Sequence, residues 1–243
     1  MEENSTNNSS TFSKKLENFW YHYKIHTLVA LFVIAVAVIC TVQMCSKPRY
    51  DAHILYAGDE RISSVRIDGD LSEYEKVRDA LISVTPDADE SGDTLISFLN
   101  LFVANEEELL ALEERGESIE GVANVIKEDT DTLHFNILSG DYYIMLLSTR
   151  LFLEYDKEYS DALFTDLSVY ASEQSVQFVG DAKRGIKLSS LENFSLLEGI
   201  NGLDPEDTVV CLRRVSDISR GLKKHERCFA QGEAVLKKLI DYD

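Results

Sequence analysis

The residues best suited to chemistry form one acidic run, Asp87-Ala-Asp-Glu-Ser-Gly-Asp93. The run resembles the first half of an EF-hand calcium loop, in which carboxylates alternate and a glycine occupies the sixth position. The twelfth position, where a bidentate glutamate belongs, is Phe98. Because that glutamate largely decides calcium affinity, we interpret the run as an acidic turn, with cation binding as the alternative.

Catalytic signatures of the familiar kinds are missing from the sequence. It contains neither a G-x-S-x-G elbow nor a glycine-rich loop of the Walker or dinucleotide-binding type. The acidic cluster over 106–120 could supply a pair of carboxylates, as glycosidases use, but a solvated helix face explains it with fewer assumptions. We therefore expect a protein that is not an enzyme and that uses no cofactor and no metal.

A basic cluster stands out against the formal net charge of −19. Nucleic acid is not an expected partner at this charge. An anionic partner, lipid headgroups and self-association are alternatives to a plain solvated loop, which we expect. The cluster comprises Arg213, Arg214, Arg220, Lys223, Lys224, His225 and Arg227.

The four cysteines fall into two pairs. Cys40 and Cys45 belong to an apolar stretch described below. Cys211 and Cys228 could form a disulfide outside the cytoplasm, or remain two buried thiols. No Cys/His spacing indicates a zinc site.

These residues must be positioned by elements of two kinds, the first of which is an uncharged apolar run over 27–44. Extended to 25–45, it reaches about 20 residues, the length of a helix that crosses a bilayer. Trp20 and Tyr50 flank it, as aromatic residues do at membrane interfaces. It is longer than a usual signal-peptide core and no small-x-small cleavage site follows, so we predict an uncleaved transmembrane helix over a cleaved signal.

Charge predicts the orientation of this helix. Lys14, Lys15 and Lys24 precede it, whereas Lys47 and Arg49 follow it. This bias predicts a cytoplasmic N-terminus, with residues 1–24 as a disordered juxtamembrane segment. The strongly acidic remainder would be repelled by an anionic cytoplasmic leaflet. We therefore predict a single-pass protein of the cell membrane with an extracytoplasmic domain.

The second kind of element is an alternation of strands and helices over residues 51–243, a length that suits one domain. Such an alternation predicts an α/β fold with one mostly parallel sheet. Strands are predicted at 52–57, 62–67, 94–103, 141–148, 185–188 and 208–213, and helices at 71–83, 106–114, 118–138, 149–155 and 231–242, with a further short element at 162–170.

Two stretches carry a family resemblance. The segments 138–153 and 163–170 combine a Gly-Asp turn, a hydrophobic strand, a helix and an Asp-Leu-Ser-Val-Tyr sequence. They resemble one lobe of the extracellular solute-binding proteins of ABC importers. The membrane region and the first strand resemble uncharacterised single-pass membrane proteins of clostridia-type bacteria.

The resemblance implies a periplasmic-binding-protein-like lobe, but one domain cannot form the two-lobed cleft that closes around a ligand. We therefore expect an anchored interaction domain that binds a protein or an envelope component, or a second copy of itself. The alternative is a small-molecule binding module, in which Tyr142, Tyr143 and Tyr155 would stack on a ligand.

Overall fold

The computed structural model describes residues 6–45, 49–60, 62, 71–116, 121–217 and 219–240. The chain divides into two compact units, Met1–Arg49 and Tyr50–Asp243. The described residues of the first unit form one helix, α1 (Thr6–Cys45). Those of the second unit include a sheet of six strands.

Within α1, the segment Phe19–Val42 is 24 residues long, has a mean hydropathy of 2.7 and is not buried against any other part of the protein. Among the described residues, α1 is the one helix that is long and apolar enough to span a membrane. A core helix of a soluble domain would have buried such a surface. The helix is therefore compatible with a single-pass anchor.

The second unit is built on one six-stranded sheet with the order β2-β1-β3-β6-β5-β4. Strands β1, β2 and β3 are parallel to one another, while β6, β5 and β4 each pair antiparallel to their neighbour. The strands are β1 (Ala52–Gly58), β2 (Ile96–Phe102), β3 (Ile144–Ser148), β4 (Phe178–Val179), β5 (Gly185–Lys187) and β6 (Thr208–Leu212).

The α/β class is confirmed, but the expectation of a mostly parallel sheet is wrong, because the sheet is mixed. The crossovers that carry helices, between β1 and β2 and between β2 and β3, produce the parallel half. After β3 and α5 (Thr149–Tyr159) the chain continues through short 3₁₀ turns and returns as two- to five-residue strands. β4, β5 and β6 follow one another without an α-helix between them, and such strands pair antiparallel.

Helices cover both faces of this sheet. Residues of β1 alternate between two cores: Ile54 and Tyr56 face one, whereas Leu55 and Ala57 face the other. The first core is closed by α2 (Ser72–Ser83) and α6 (Lys223–Ile240), the second by α4 (Val122–Ser139) and α5 (Thr149–Tyr159). A smaller cluster involves α3 (Glu106–Glu114).

Local signals explain where several of these elements begin. Asn105 caps α3 by accepting the Glu108 N–H at 2.9 Å, and the Glu108 carboxylate accepts the Asn105 N–H at 2.7 Å. This capping box satisfies two backbone donors at the helix start. Ser148 likewise ends β3 and caps α5.

Most of the predicted elements are present with shifted ends. The helix expected at 231–242 begins at Lys223, and the strand expected at 185–188 is β5, which lies inside the sheet between β6 and β4. The strand expected at 62–67 lies outside the described residues except for Ile62, which is buried.

Candidate functional site

The carboxyl edge of the parallel strands is the first place to look for a ligand site in this fold. The chain leaves β1 toward β2 on one side and leaves β3 toward β6 on the other. Loops that diverge in this way open a crevice between β1 and β3, where α/β proteins commonly bind ligands. Asp59 follows β1 and Thr149 follows β3 at this edge.

Carboxylates lie at this edge of the sheet, with Asp59 after β1 and Asp207 before β6. Burial raises the pKa of Asp59, and the nearby Glu108, Asp207 and Glu60 raise it further. Burial also raises the pKa of Asp207, with a further contribution from Asp204. These two groups hold protons more tightly than ordinary carboxyls, because desolvation and like charge both disfavour their ionised forms.

One arginine balances part of this charge. Arg150 donates two hydrogen bonds to the Glu108 carboxylate, from Nε to Oε1 at 2.5 Å and from Nη2 to Oε2 at 2.9 Å. Nη2 also donates to the Val103 carbonyl at 3.0 Å. The same carboxylate takes part in the capping box of α3, so the pair ties the end of β2 to the start of α5. The edge as a whole stays acidic and would favour a cationic or hydroxyl-bearing ligand.

The three tyrosines predicted to bind a ligand are not brought together. Tyr142 and Tyr143 pack against opposite cores of the sheet. Tyr143 is 1% exposed, and its hydroxyl lies 2.9 Å from Nδ1 of His225. Tyr155 is buried, its hydroxyl lies 3.4 Å from Nδ1 of His134, and burial raises its pKa to about 12. Their role in binding stays a prediction, and the two buried rings serve the cores.

The acidic run is joined by a residue that the sequence pattern did not indicate. Carboxylate oxygens of Asp51, Asp87 and Asp89 lie within 4.8 Å of one another. Asp51 accepts the N–H groups of Ala88 and Leu95 at 2.9 and 2.8 Å. Asp87 accepts those of Ser91 and Gly92, which lowers its pKa. These backbone donors account for the acidic turn.

The basic cluster divides into a structural and a surface part. Arg213 is 4% exposed and donates to the carbonyls of Asn136, Ile137 and Gly140, the last residues of α4 and the residue after it. Its guanidinium lies 4.3 Å from the centre of the Tyr143 ring. The expectation of a plain solvated loop is therefore wrong for Arg213, which caps the carboxyl end of α4. It is also wrong for Lys223, Lys224, His225 and Arg227, because these residues lie in the first turns of α6.

Two further arginines of the cluster, Arg214 and Arg220, border a cleft of about 560 Å³ beside the end of β6. Arg184, Arg214 and Arg220 line it together with Thr165. Arg184 precedes β5, so its place beside Arg214 arises from antiparallel pairing, which the spacing along the chain did not reveal.

Cys211 and Cys228 are free, buried thiols. Cys211 faces the core beneath α5, and Cys228 faces the opposite core. Because the sheet separates them, these two thiols cannot form a disulfide, and the alternative of two buried thiols holds. Burial raises the pKa of both thiols, which makes them poor nucleophiles.

The fold defines the chain as an apolar helix followed by an α/β domain with a mixed sheet. Comparison with protein-family models, with curated proteins and with solved structures finds no match for this chain. The likeness to a solute-binding lobe therefore stays a prediction.

Proposed function

We propose that the chain is a membrane-anchored extracytoplasmic interaction domain that binds a protein or an envelope component and does not act as an enzyme. The observation that carries this proposal is the segment Phe19–Val42, which has a mean hydropathy of 2.7 and is unburied. Six residues, 46–51, join the end of α1 to the start of β1. At about 3.5 Å per residue, this link reaches roughly 25 Å at most, so the domain works close to the bilayer.

The surface of α4 supports a protein partner. Phe135 is 65% exposed and Leu138 is 53% exposed, one turn apart on the outer side of the helix. Exposed apolar neighbours of this kind are common at protein–protein interfaces.

The edge strand β2 beside α4 is an unfavourable place for an added strand. The Tyr74 hydroxyl donates to the Phe98 carbonyl at 3.1 Å, and the Phe102 N–H donates to Asp129 at 3.0 Å. Both backbone groups belong to the side of β2 that faces away from β1. Side chains therefore protect this edge, and a partner would contact the helix surface instead.

A photo-crosslinking experiment on the full chain in its native membrane tests this proposal. A photoreactive residue at Phe135 should yield one discrete adduct, and the same residue at Lys127, an exposed position of α4, should not. When the photoreactive residue is placed at Leu138 instead, the additional change Phe135→Ser should abolish the adduct. Equal, diffuse labelling from all positions would contradict a specific partner on α4.

The second candidate function is small-molecule binding in the crevice between β1 and β3. The observation that favours it is the raised pKa of Asp59 and Asp207 at that edge, because perturbed carboxyls concentrate at binding sites. Cationic and polyhydroxylated solutes can be screened by thermal shift. A solute that binds should raise the melting temperature of the protein, and the Asp59→Asn variant should abolish this rise.

A further inference from the structure

The cleft beside β6 combines donors with an apolar floor. Its volume of about 560 Å³ is that of a small-molecule site. Phe164 and Phe229 contribute apolar surface, and Thr165, Arg214 and Arg220 contribute donors. A second hollow of about 480 Å³ shares Arg214 with it. Arg214 therefore lies between two adjoining depressions.

Most N–H donors of the Arg214 guanidinium are available to a ligand. It donates to the Asp161 carbonyl at 3.1 Å, and within the described residues no carboxylate is found within ion-pair distance of it. Arg220 pairs with Asp217 at 2.8 Å, but the two side chains are 63% and 87% exposed. An exposed pair contributes about 0–1 kcal/mol, so Arg220 exchanges its partner easily.

The Arg184 guanidinium, by contrast, already forms a partly buried ion pair. It donates to Asp156 at 2.8 Å, and both side chains are less than one-fifth exposed. It adds positive potential to the cleft and holds the wall in place. Two carboxylates, Asp161 and Asp166, also line the cleft. Asp166 accepts the Ser168 N–H, which lowers its pKa and keeps it charged. A ligand must therefore contact the arginines directly, since the cleft is not uniformly positive.

The Thr165 hydroxyl points to a missing ligand. Its Oγ1 is inaccessible to solvent and has no hydrogen-bond partner in the described structure. A buried polar atom without a partner is unfavourable. An acceptor held by Arg214 and Arg220 that reached this atom from the cleft would satisfy it.

We propose that this cleft binds a phosphate group, with Arg214, Arg220 and Thr165 as its donors and with the half-buried Phe229 against the apolar part of the ligand. Phosphate fits better than carboxylate because it offers enough oxygens to accept from two guanidinium forks and a hydroxyl together. The group can belong to a lipid headgroup or to a soluble phosphate compound. The proposal goes beyond the protein-binding function and does not depend on it.

The experiment uses the full chain in lipid nanodiscs, with hydrogen exchange of the segments around Thr165 and Arg214 as the readout. In phosphatidylcholine nanodiscs, inorganic phosphate is titrated at constant ionic strength. In a second arm, phosphatidylglycerol is mixed into the disc and free phosphate is left out. Protection by inorganic phosphate alone assigns a soluble ligand, and protection in the anionic disc alone assigns a headgroup.

The variants separate binding from general charge. Arg214→Gln should weaken phosphate binding about tenfold, and Thr165→Val should weaken it while keeping the side-chain shape. Lys127→Gln, which removes one exposed positive charge on α4, should bind like the parent. Unchanged exchange in β1 and β3 shows that a variant is folded. No protection in either arm, or equal protection in the parent, Arg214→Gln and Thr165→Val, would overturn the proposal.

Discussion

The buried Arg213 allows a quantitative test of how the domain is held together. Its guanidinium donates to three carbonyls, those of Asn136 at 3.1 Å, Ile137 at 3.0 Å and Gly140. All three acceptors belong to buried residues. Burial lowers the pKa of the guanidinium, while the neighbouring Tyr143 opposes this shift.

We change Arg213 to methionine, which keeps much of the length and removes the donors. The Asn136 carbonyl keeps the Gly140 N–H as a donor, but the carbonyls of Ile137 and Gly140 lose theirs, which costs about 1–3 kcal/mol each. Part of this is recovered, because the buried cation has itself lost hydration worth several kcal/mol. We therefore expect a net loss of about 3 kcal/mol in the free energy of unfolding.

Urea unfolding of residues 50–243, followed by far-UV circular dichroism, measures this loss. The midpoint should fall while the dependence on urea concentration stays the same. Arg214→Met, the change at the exposed neighbour, should alter stability by no more than about 0.5 kcal/mol. Arg213→Lys should remain clearly destabilised, since one ammonium cannot reproduce the guanidinium fork. A loss below about 1 kcal/mol for Arg213→Met would refute the capping argument.

Three further results are expected. Because burial raises the pKa of Asp207, its contribution to stability is greatest at low pH and is lost as pH rises through the raised pKa. The free energy of unfolding of the parent should therefore increase relative to that of Asp207→Asn as the pH falls from 7 to 4. A difference that stays constant with pH would contradict this. Gly185→Ala should cost about 1–3 kcal/mol, because the added Cβ would lie 2.5 Å from Val209 and 2.6 Å from Phe152; thermal unfolding unchanged from the parent would oppose it. Maleimide labelling of the denatured, unreduced chain should modify both Cys211 and Cys228, since they lie on opposite faces of the sheet; protection until a reductant is added would show a disulfide.

Elements with strong local signals could be predicted from the sequence. The capping asparagine and the acidic first turn place α3, and the spacing of Val77 and Leu81 places the buried stripe of α2. The continuous apolar run places the membrane-compatible part of α1. In each case the information lies within a few residues of the element itself.

Features set by distant contacts could not be predicted. The antiparallel direction of β6 depends on its pairing with β3, more than 60 residues away. The burial of Arg213 depends on where α4 ends, and the convergence of Arg184 with Arg214 depends on the pairing of β5 with β6. Asp51 joins Asp87 only once β1 and β2 are side by side. None of these contacts leaves a periodic signal in the chain.

Labelling of intact cells tests the central claim, an anchored domain outside the cytoplasm. The Ala123→Cys variant places a thiol on the exposed surface of α4, and Ser10→Cys places one in α1 ahead of its apolar segment Phe19–Val42. A membrane-impermeant maleimide should label Ala123→Cys in intact cells, and Ser10→Cys only after permeabilisation. The buried Cys211 and Cys228 of the parent should remain unlabelled in the folded protein. Labelling of Ser10→Cys but not Ala123→Cys in intact cells would contradict the account.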